Sequence, residues 1–122
     1  NAVHQCAKQP RPQWDAYLDW LFDFEYRKIA IPAPDLVVYL DVDPEVTQRL
    51  MSARYQGHEE KKDIHERDTA YMRSSREAAL YCERQEWQRV SCCENGAMRP
   101  REAIHKDVLA LVDSCLASKR MQ

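Results

Sequence analysis

The chain has 122 residues with a formal net charge of −2, which is enough for one small domain. This weak negative charge gives no electrostatic case for nucleic acid or an anionic membrane, and no apolar run is long enough to span a bilayer. Two glycines and 31% charged residues favour a helix-rich fold.

The first part of the chain predicts two helical segments separated by prolines. Residues 1 to 8 are predicted to be the tail of a helix, which Pro10 and Pro12 end. A second helix is predicted from Trp14 to about Ile29. Its apolar residues recur at the three-and-four spacing of one helix face, namely Trp14, Tyr17, Leu18, Leu21 and Phe24.

A buried strand is predicted next, over about residues 36–41. Leu36 to Leu40 is continuously apolar, which is typical of a strand covered by helices on both faces. Asp41 and Asp43 end the run, and Pro44 suits the first turn of a helix reaching to about Ala53. The acidic pair therefore lies at the strand edge where α/β proteins bind ligands.

The second half predicts a loop, a long helix, a strand and a last helix. Residues 54–62 are charged and lack an apolar period, and Asp63 then caps a helix that reaches to about Trp87. A strand is predicted at about 89–93, a turn at 94–96, and a final helix from Pro100. The predicted class is α/β, helix-rich, with two parallel strands flanked by helices. Because two strands rarely stand alone, the chain is expected to be the C-terminal part of one larger domain.

The cysteines and histidines predict no metal site and no disulfide framework. Five cysteines occur without the two-residue spacing of zinc or redox motifs, which favours reduced thiols in a cytoplasmic protein: Cys6, Cys82, Cys92, Cys93 and Cys115.

Several motifs, in this order, resemble the C-terminal half of bacterial thymidylate kinase. They are the strand segment 34–42, the Asp43-Pro44-Glu45 step, a helix ending at Arg54, a charged loop and the segment 63–66 (Asp-Ile-His-Glu). The opening Asn-Ala-Val-His-Gln resembles the family segment that contacts the thymine base. The resemblance covers residues 1 to about 112 and implies a partial P-loop nucleotide-kinase fold with a LID loop at about 54–63.

The phosphate-binding loop of that family is absent from this sequence. The motif needs a glycine directly before Lys-Ser or Lys-Thr, whereas Gly57 precedes His58 and Gly96 precedes Ala97. The chain alone is therefore expected to be inactive.

The resemblance implies a function and a set of site residues. The family enzyme transfers the γ-phosphoryl of ATP to dTMP with Mg²⁺, giving dTDP for dTTP biosynthesis, and is usually a homodimer. The residues expected to act are Arg54, Lys61, Lys62 and Arg67 as catalytic cations, Asn1, His4 and Gln5 against dTMP, and Met98 and Arg99 on the adenine side of ATP. An Asn or Gln amide suits thymine because it can donate to one edge atom and accept from the next.

Two alternatives stay open. The chain could come from a deoxynucleoside kinase or another nucleotide kinase of the same fold. It could instead be a non-catalytic remnant that acts as a helical interaction module.

Overall fold

A computed structural model describes residues 1–55 and 69–120. The helices in this part are α1 (Ala2–Cys6), α2 (Trp14–Phe22), α3 (Pro44–Tyr55), α4 (Thr69–Tyr81) and α5 (Arg101–Arg120). The strands are β1 (Val38–Asp41), β2 (Gln88–Ser91), β3 (Cys93–Glu94) and β4 (Ala97–Met98). Short 3₁₀ segments cover Arg11–Gln13 and Cys82–Gln85, and a π-helical segment covers Asp23–Lys28.

The predicted parallel strand pair is confirmed. β1 and β2 pair in parallel, from Val38 opposite Gln88 to Asp41 opposite Ser91. Pairing begins at Val38, later than predicted, and Val37 contributes only its carbonyl, which accepts from the Gln88 N–H at 2.8 Å. Leu40 is 50% exposed, so the expectation of a strand covered on both faces is wrong at this residue.

The second predicted strand divides at Cys92. The Cys92 N–H donates to the Asp41 carbonyl at 2.8 Å, while the Cys92 carbonyl accepts from the Arg99 N–H at 2.9 Å. The chain thus leaves the parallel pair and enters a β3–β4 hairpin. Asn95 (φ 51°) and Gly96 (φ 73°) form its two-residue turn, the left-handed conformation that an Asn-Gly pair favours.

The hydrophobic core lies where α1, α2 and the end of α4 meet. α2 contributes Trp14, Leu18 and Leu21 at the spacing of one helix face, and Cys6 and Cys82 pack against them. The buried Trp14 indole N–H donates to the Gln9 carbonyl at 3.1 Å. Each large apolar side chain buried here contributes about 1.5–3 kcal/mol.

Two helix ends differ from the sequence expectation. The predicted second helix does reach Lys28, but its last turn is π-helical and ends where Ala30 adopts φ 61°. The long helix predicted to reach about Trp87 is α-helical only to Tyr81, because a 3₁₀ turn follows and Glu86 adopts φ 66°. Its predicted start at Asp63 lies outside the described residues.

α5 packs against β2 along the apolar side predicted from the sequence. Ile104, Val108 and Leu111 on that side are half-buried. Across residues 1–55 and 69–120, the structure contains no helix with the length and apolar character needed to cross a membrane.

Candidate functional site

A cavity of about 360 Å³ opens at the C-terminal end of β1. It lies between α1, the β1–α3 junction and α4. It is lined by Val3, His4, Tyr39, Leu40, Val42, Pro44, Thr47, Tyr71, Met72, Ser75, Arg76 and Ala79. The volume falls in the range of small-molecule pockets, and the position is the sheet edge at which α/β proteins bind ligands.

One face of α4 forms a wall of this cavity. Met72, Ser75, Arg76 and Ala79 recur at three-and-four spacing, so the helix presents all four toward β1. α4 is held against α1 by the Ser74 hydroxyl, which donates to the Ala7 carbonyl at 3.1 Å. The cavity therefore has a wall fixed by helix packing.

An ion pair closes the cavity at the strand end. Arg76 Nε donates to Asp41 Oδ1 at 2.6 Å and Arg76 Nη2 donates to Asp41 Oδ2 at 2.9 Å, so the contact is bidentate. Arg76 Nη2 also reaches Asp43 Oδ1 at 3.4 Å. The hydrogen bonds that Arg76 donates to Asp41 raise the pKa of the Arg76 guanidinium.

A second arginine completes the charge balance around Asp41. Asp41 is only 5% exposed, and a buried carboxylate requires compensating charge and hydrogen bonds. Arg89 Nη1 lies 3.9 Å from Asp41 Oδ2, and Arg89 Nε is 3.0 Å from Glu83 Oε1. Asp41 therefore forms ion pairs with one arginine of α4 and one of β2.

Two aromatic residues and a histidine provide polar groups above the apolar walls. His4 Nδ1 and the Tyr71 hydroxyl are 3.0 Å apart, and the two rings stack with centroids separated by 6.1 Å. Burial, followed by the negative charge of Asp41, raises the pKa of Tyr39. A tyrosine hydroxyl is protonated at neutral pH even without this shift, so Tyr39 carries a hydrogen-bond donor.

Of the residues expected to contact dTMP, His4 lines the cavity and the other two do not. The Asn1 side-chain amide donates to Glu25 Oε1 at 3.0 Å, and neither residue lines the cavity. Gln5 is half-buried, and its backbone carbonyl accepts from the Gln9 side chain at 3.4 Å. The structure therefore brings only His4 of this group to the cavity.

The residues expected to be catalytic are described only in part. Arg54 is exposed in the last turn of α3, whose first turns contribute Pro44 and Thr47 to the cavity. Arg54 follows Thr47 by seven positions, or two helical turns, so the two residues lie on one helix face about 10 Å apart. The other expected cations, Lys61, Lys62 and Arg67, lie outside the described residues.

The residues expected on the adenine side lie at the β3–β4 hairpin. Arg99 is held by a 2.7 Å contact from its Nη2 to Asp107 Oδ2, which raises the pKa of its guanidinium. Met98 is 39% exposed, and its sulfur lies 3.9 Å from Cys93 Sγ. Arg49 of α3 donates to the Gly96 carbonyl and so joins the hairpin to the helix that borders the cavity.

Three of the lining residues, Tyr71, Ser75 and Arg76, were not predicted as site residues from the sequence. A signal for Arg76 was available. An arginine four residues after Met72 falls on the apolar face of that helix, and a strand ending in two aspartates calls for a cation. The sequence did not show that Arg76 and Asp41, which are 35 positions apart, come into contact.

A larger groove of about 730 Å³ lies at the opposite end of the strands. It runs beside α5 and includes Asp35 and Lys119, which pair across it. It lies at the N-terminal edge of the parallel strands, where α/β folds do not bind their ligands. The smaller cavity is the better site candidate.

Comparison with protein-family models, with curated proteins and with solved structures found no match to this chain. Within the part of the chain described, no group of three or more His, Cys, Asp and Glu could hold a metal ion.

Proposed function

We propose that this chain is the lid-bearing half of a thymidylate kinase and that its cavity receives dTMP. The observation that carries the proposal is the convergence of His4, Tyr71 and Arg76 on one cavity at the C-terminal strand edge. The α1 segment that resembles the thymine-contacting segment thus borders a pocket of suitable size and position. The proposal also includes the fold and the location: a partial P-loop nucleotide-kinase fold in a cytoplasmic protein.

The cavity walls suit a flat, largely apolar ring. Val3, Leu40 and Met72 offer apolar contact, whereas His4 and Tyr71 offer hydrogen-bonding groups beside it. Ligand pockets in general combine apolar walls with a few polar groups that fix orientation. A pyrimidine nucleoside has this combination of an apolar face and polar edges.

The proposed roles of Asn1 and Gln5 need a local change. The Asn1 amide is bound to Glu25, so contact with the thymine edge requires that hydrogen bond to break. An exposed pair of this kind has a net strength of about 0.5–1.5 kcal/mol, which a new hydrogen bond to the base can offset. His4 needs no such change.

The proposed reaction is phosphoryl transfer. An oxygen of the dTMP phosphate bonds to the γ-phosphorus of ATP as the bond to the β–γ bridging oxygen breaks, giving dTDP and ADP. Bound Mg²⁺ supplies charge neutralisation at the phosphates. This chemistry asks for cations near the transferring group, and Arg54, Lys61, Lys62 and Arg67 are the proposed set.

The described residues do not form a site for that magnesium ion. Asp41 and Asp43 are the carboxylates at the cavity edge, and both contact the Arg76 guanidinium. Arg99, proposed on the adenine side, is held by Asp107 through its side chain and by Cys92 through its backbone N–H, whereas Met98 is partly exposed. We therefore assign the metal no ligand among the described residues.

The proposed partner is a second copy of the same chain. Trp20 is 54% exposed and Phe24 is 38% exposed, and their rings stack at 5.4 Å on the outer face of α2 and the π-helical turn. Tyr17 extends the same face, with its ring 5.8 Å from Trp20. Exposed aromatic clusters of this kind are enriched in protein interfaces.

Calorimetric titration of the chain with dTMP, thymidine and AMP tests the proposed substrate. We expect dTMP to bind and AMP to bind at least tenfold more weakly. Equal or tighter binding of thymidine would favour the deoxynucleoside-kinase alternative. Failure of all three to bind would contradict the proposal and favour the interaction-module alternative.

A further inference from the structure

One polar atom in the cavity wall lacks a hydrogen-bond partner. The side-chain oxygen of Ser75 is buried. Among the buried side-chain nitrogen and oxygen atoms of the described residues, it is the one without a hydrogen-bond partner. Ser75 belongs to the α4 face that lines the cavity, between Met72 and Ala79. The orphan hydroxyl and the cavity are therefore adjacent.

An unsatisfied buried hydroxyl is costly and uncommon in native proteins. Leaving such a group without a partner costs about 1–3 kcal/mol relative to a solvated one. A helical serine can avoid the cost by bonding the carbonyl four residues earlier, as Ser114 does with Ala110 at 2.8 Å. Ser75 makes no such bond with another described residue.

The neighbouring serine shows the contrast. Ser74 faces α1 and donates to the Ala7 carbonyl, so its hydroxyl has a structural role in helix packing. Ser75 is turned by about 100° around the helix, toward the cavity side. Two adjacent serines thus differ in what their hydroxyls are placed to contact.

The charges nearby limit what Ser75 would bind. Arg76 is already paired with Asp41 and Asp43, so the adjacent end of the cavity carries little unbalanced positive charge. The other neighbours of Ser75 on its face are the apolar Met72 and Ala79. An uncharged polar atom, such as a ring carbonyl or a sugar hydroxyl, suits this place better than a phosphate.

We propose that Ser75 Oγ is a ligand-binding group that hydrogen-bonds an uncharged polar atom of the nucleoside part of the bound nucleotide. The proposal rests on the proposed function, because it takes the occupant of the cavity to be dTMP. It adds a residue for which the resemblance implied no role. Because the Ser75 oxygen is buried in the free protein, the proposal requires the side chain to rotate toward the cavity when the ligand binds.

The test compares Ser75→Ala with Ser74→Ala, by thermal melting without ligand and by calorimetric titration with dTMP. For Ser75→Ala we expect an unchanged or raised melting temperature, because an unsatisfied hydroxyl is removed, together with a loss of dTMP affinity of about 5–10-fold. For Ser74→Ala we expect the reverse, a lowered melting temperature with dTMP affinity unchanged. Ser75→Cys, which keeps the shape with a weaker hydrogen-bonding group, should lose affinity as Ser75→Ala does.

The outcomes separate this inference from the proposed function. If the unaltered chain binds dTMP and Ser75→Ala binds it equally well, the role of Ser75 is overturned and the proposed function stands. If Ser75→Ala lowers the melting temperature as much as Ser74→Ala, the hydroxyl has a partner in the free protein and the inference is also overturned. If the unaltered chain does not bind dTMP, both fall together.

Discussion

Arg76 of α4 donates two hydrogen bonds, of 2.6 and 2.9 Å, to Asp41 of β1, at the strand end where the candidate site begins. Asp41 is 5% exposed, whereas the Arg76 side chain is 31% exposed. The pair fixes α4 to the strand and also forms one wall of the cavity. Stability and site geometry therefore depend on the same contact.

Arg76→Ala should lower the free energy of unfolding by about 2–4 kcal/mol, since it leaves the buried Asp41 carboxylate with a single distant arginine. Denaturant unfolding of the purified variant measures this loss. The matched control is Arg73→Ala on the same helix, whose 3.7 Å pair with Glu45 is exposed and should contribute less than about 1 kcal/mol. Equal losses in the two variants would show that the Asp41 pair is not a special contact.

The hairpin turn offers a backbone test. Gly96→Ala should destabilise the chain by about 1 kcal/mol, because Gly96 has φ 73° and alanine disfavours that conformation although the space around it is open. Asn95→Gly is the control, and it should be neutral or slightly stabilising at φ 51°. If Gly96→Ala leaves the unfolding midpoint unchanged, the turn does not have the left-handed geometry.

The buried thiols predict a pH dependence. Burial, followed by the charge of Cys6, raises the pKa of Cys82 from 9.0 to about 11. The pKa of Cys82 is therefore higher in the folded chain than in the unfolded chain. The stabilisation that comes from the protonated, buried thiol is fully present below about pH 9 and is lost as pH rises through about 11. We expect a Cys82→Ala variant to show a smaller loss of stability between pH 9 and 11 than the unaltered chain does.

Thiol labelling checks the same burial independently. At pH 8 a disulfide reagent should modify the half-buried Cys93 and Cys115 first, and Cys6, Cys82 and Cys92 only on unfolding. Labelling of Cys82 as fast as Cys115 in the folded chain would contradict the core described above.

The aromatic face of α2 predicts the oligomeric state. Trp20→Glu should convert a dimer into a monomer in sedimentation equilibrium, since it places a charge in the centre of the proposed interface. Arg27→Gln, at a side chain 84% exposed, changes the net charge by the same amount and is the matched control, which should leave the association unchanged. A monomeric unaltered chain would overturn the homodimer proposal.

The sequence predicted local structure better than it predicted contacts. The strand before Asp41, the Asn95-Gly96 turn and the buried part of the α2 stripe depend mainly on neighbouring residues, and the structure contains all three. The predicted burial is wrong at Leu40 and Phe24, which are exposed. The end of α4 at Tyr81 and the change of partner at Cys92 depend on distant contacts, which periodicity does not report. The same limit applies to the site, where Arg76 meets Asp41 and Asn1 meets Glu25 only after the chain has folded.

The missing phosphate loop leads to a prediction about activity. The chain by itself should not turn over ATP and dTMP in a coupled assay, because none of its sequence forms the glycine-rich cradle for the β- and γ-phosphates. Turnover above the background of a no-enzyme control would contradict this expectation. dTMP binding without turnover is the combined result that the account requires.

The most direct test of the central claim is a nuclear magnetic resonance titration of the isotope-labelled chain with dTMP. We predict that saturating dTMP shifts the resonances of His4, Tyr71 and Met72 at the cavity, and leaves those of Cys115 and Lys119 at the opposite groove unchanged. Shifts confined to the opposite groove, or no shifts at all, would contradict the assignment of this cavity as a nucleotide site.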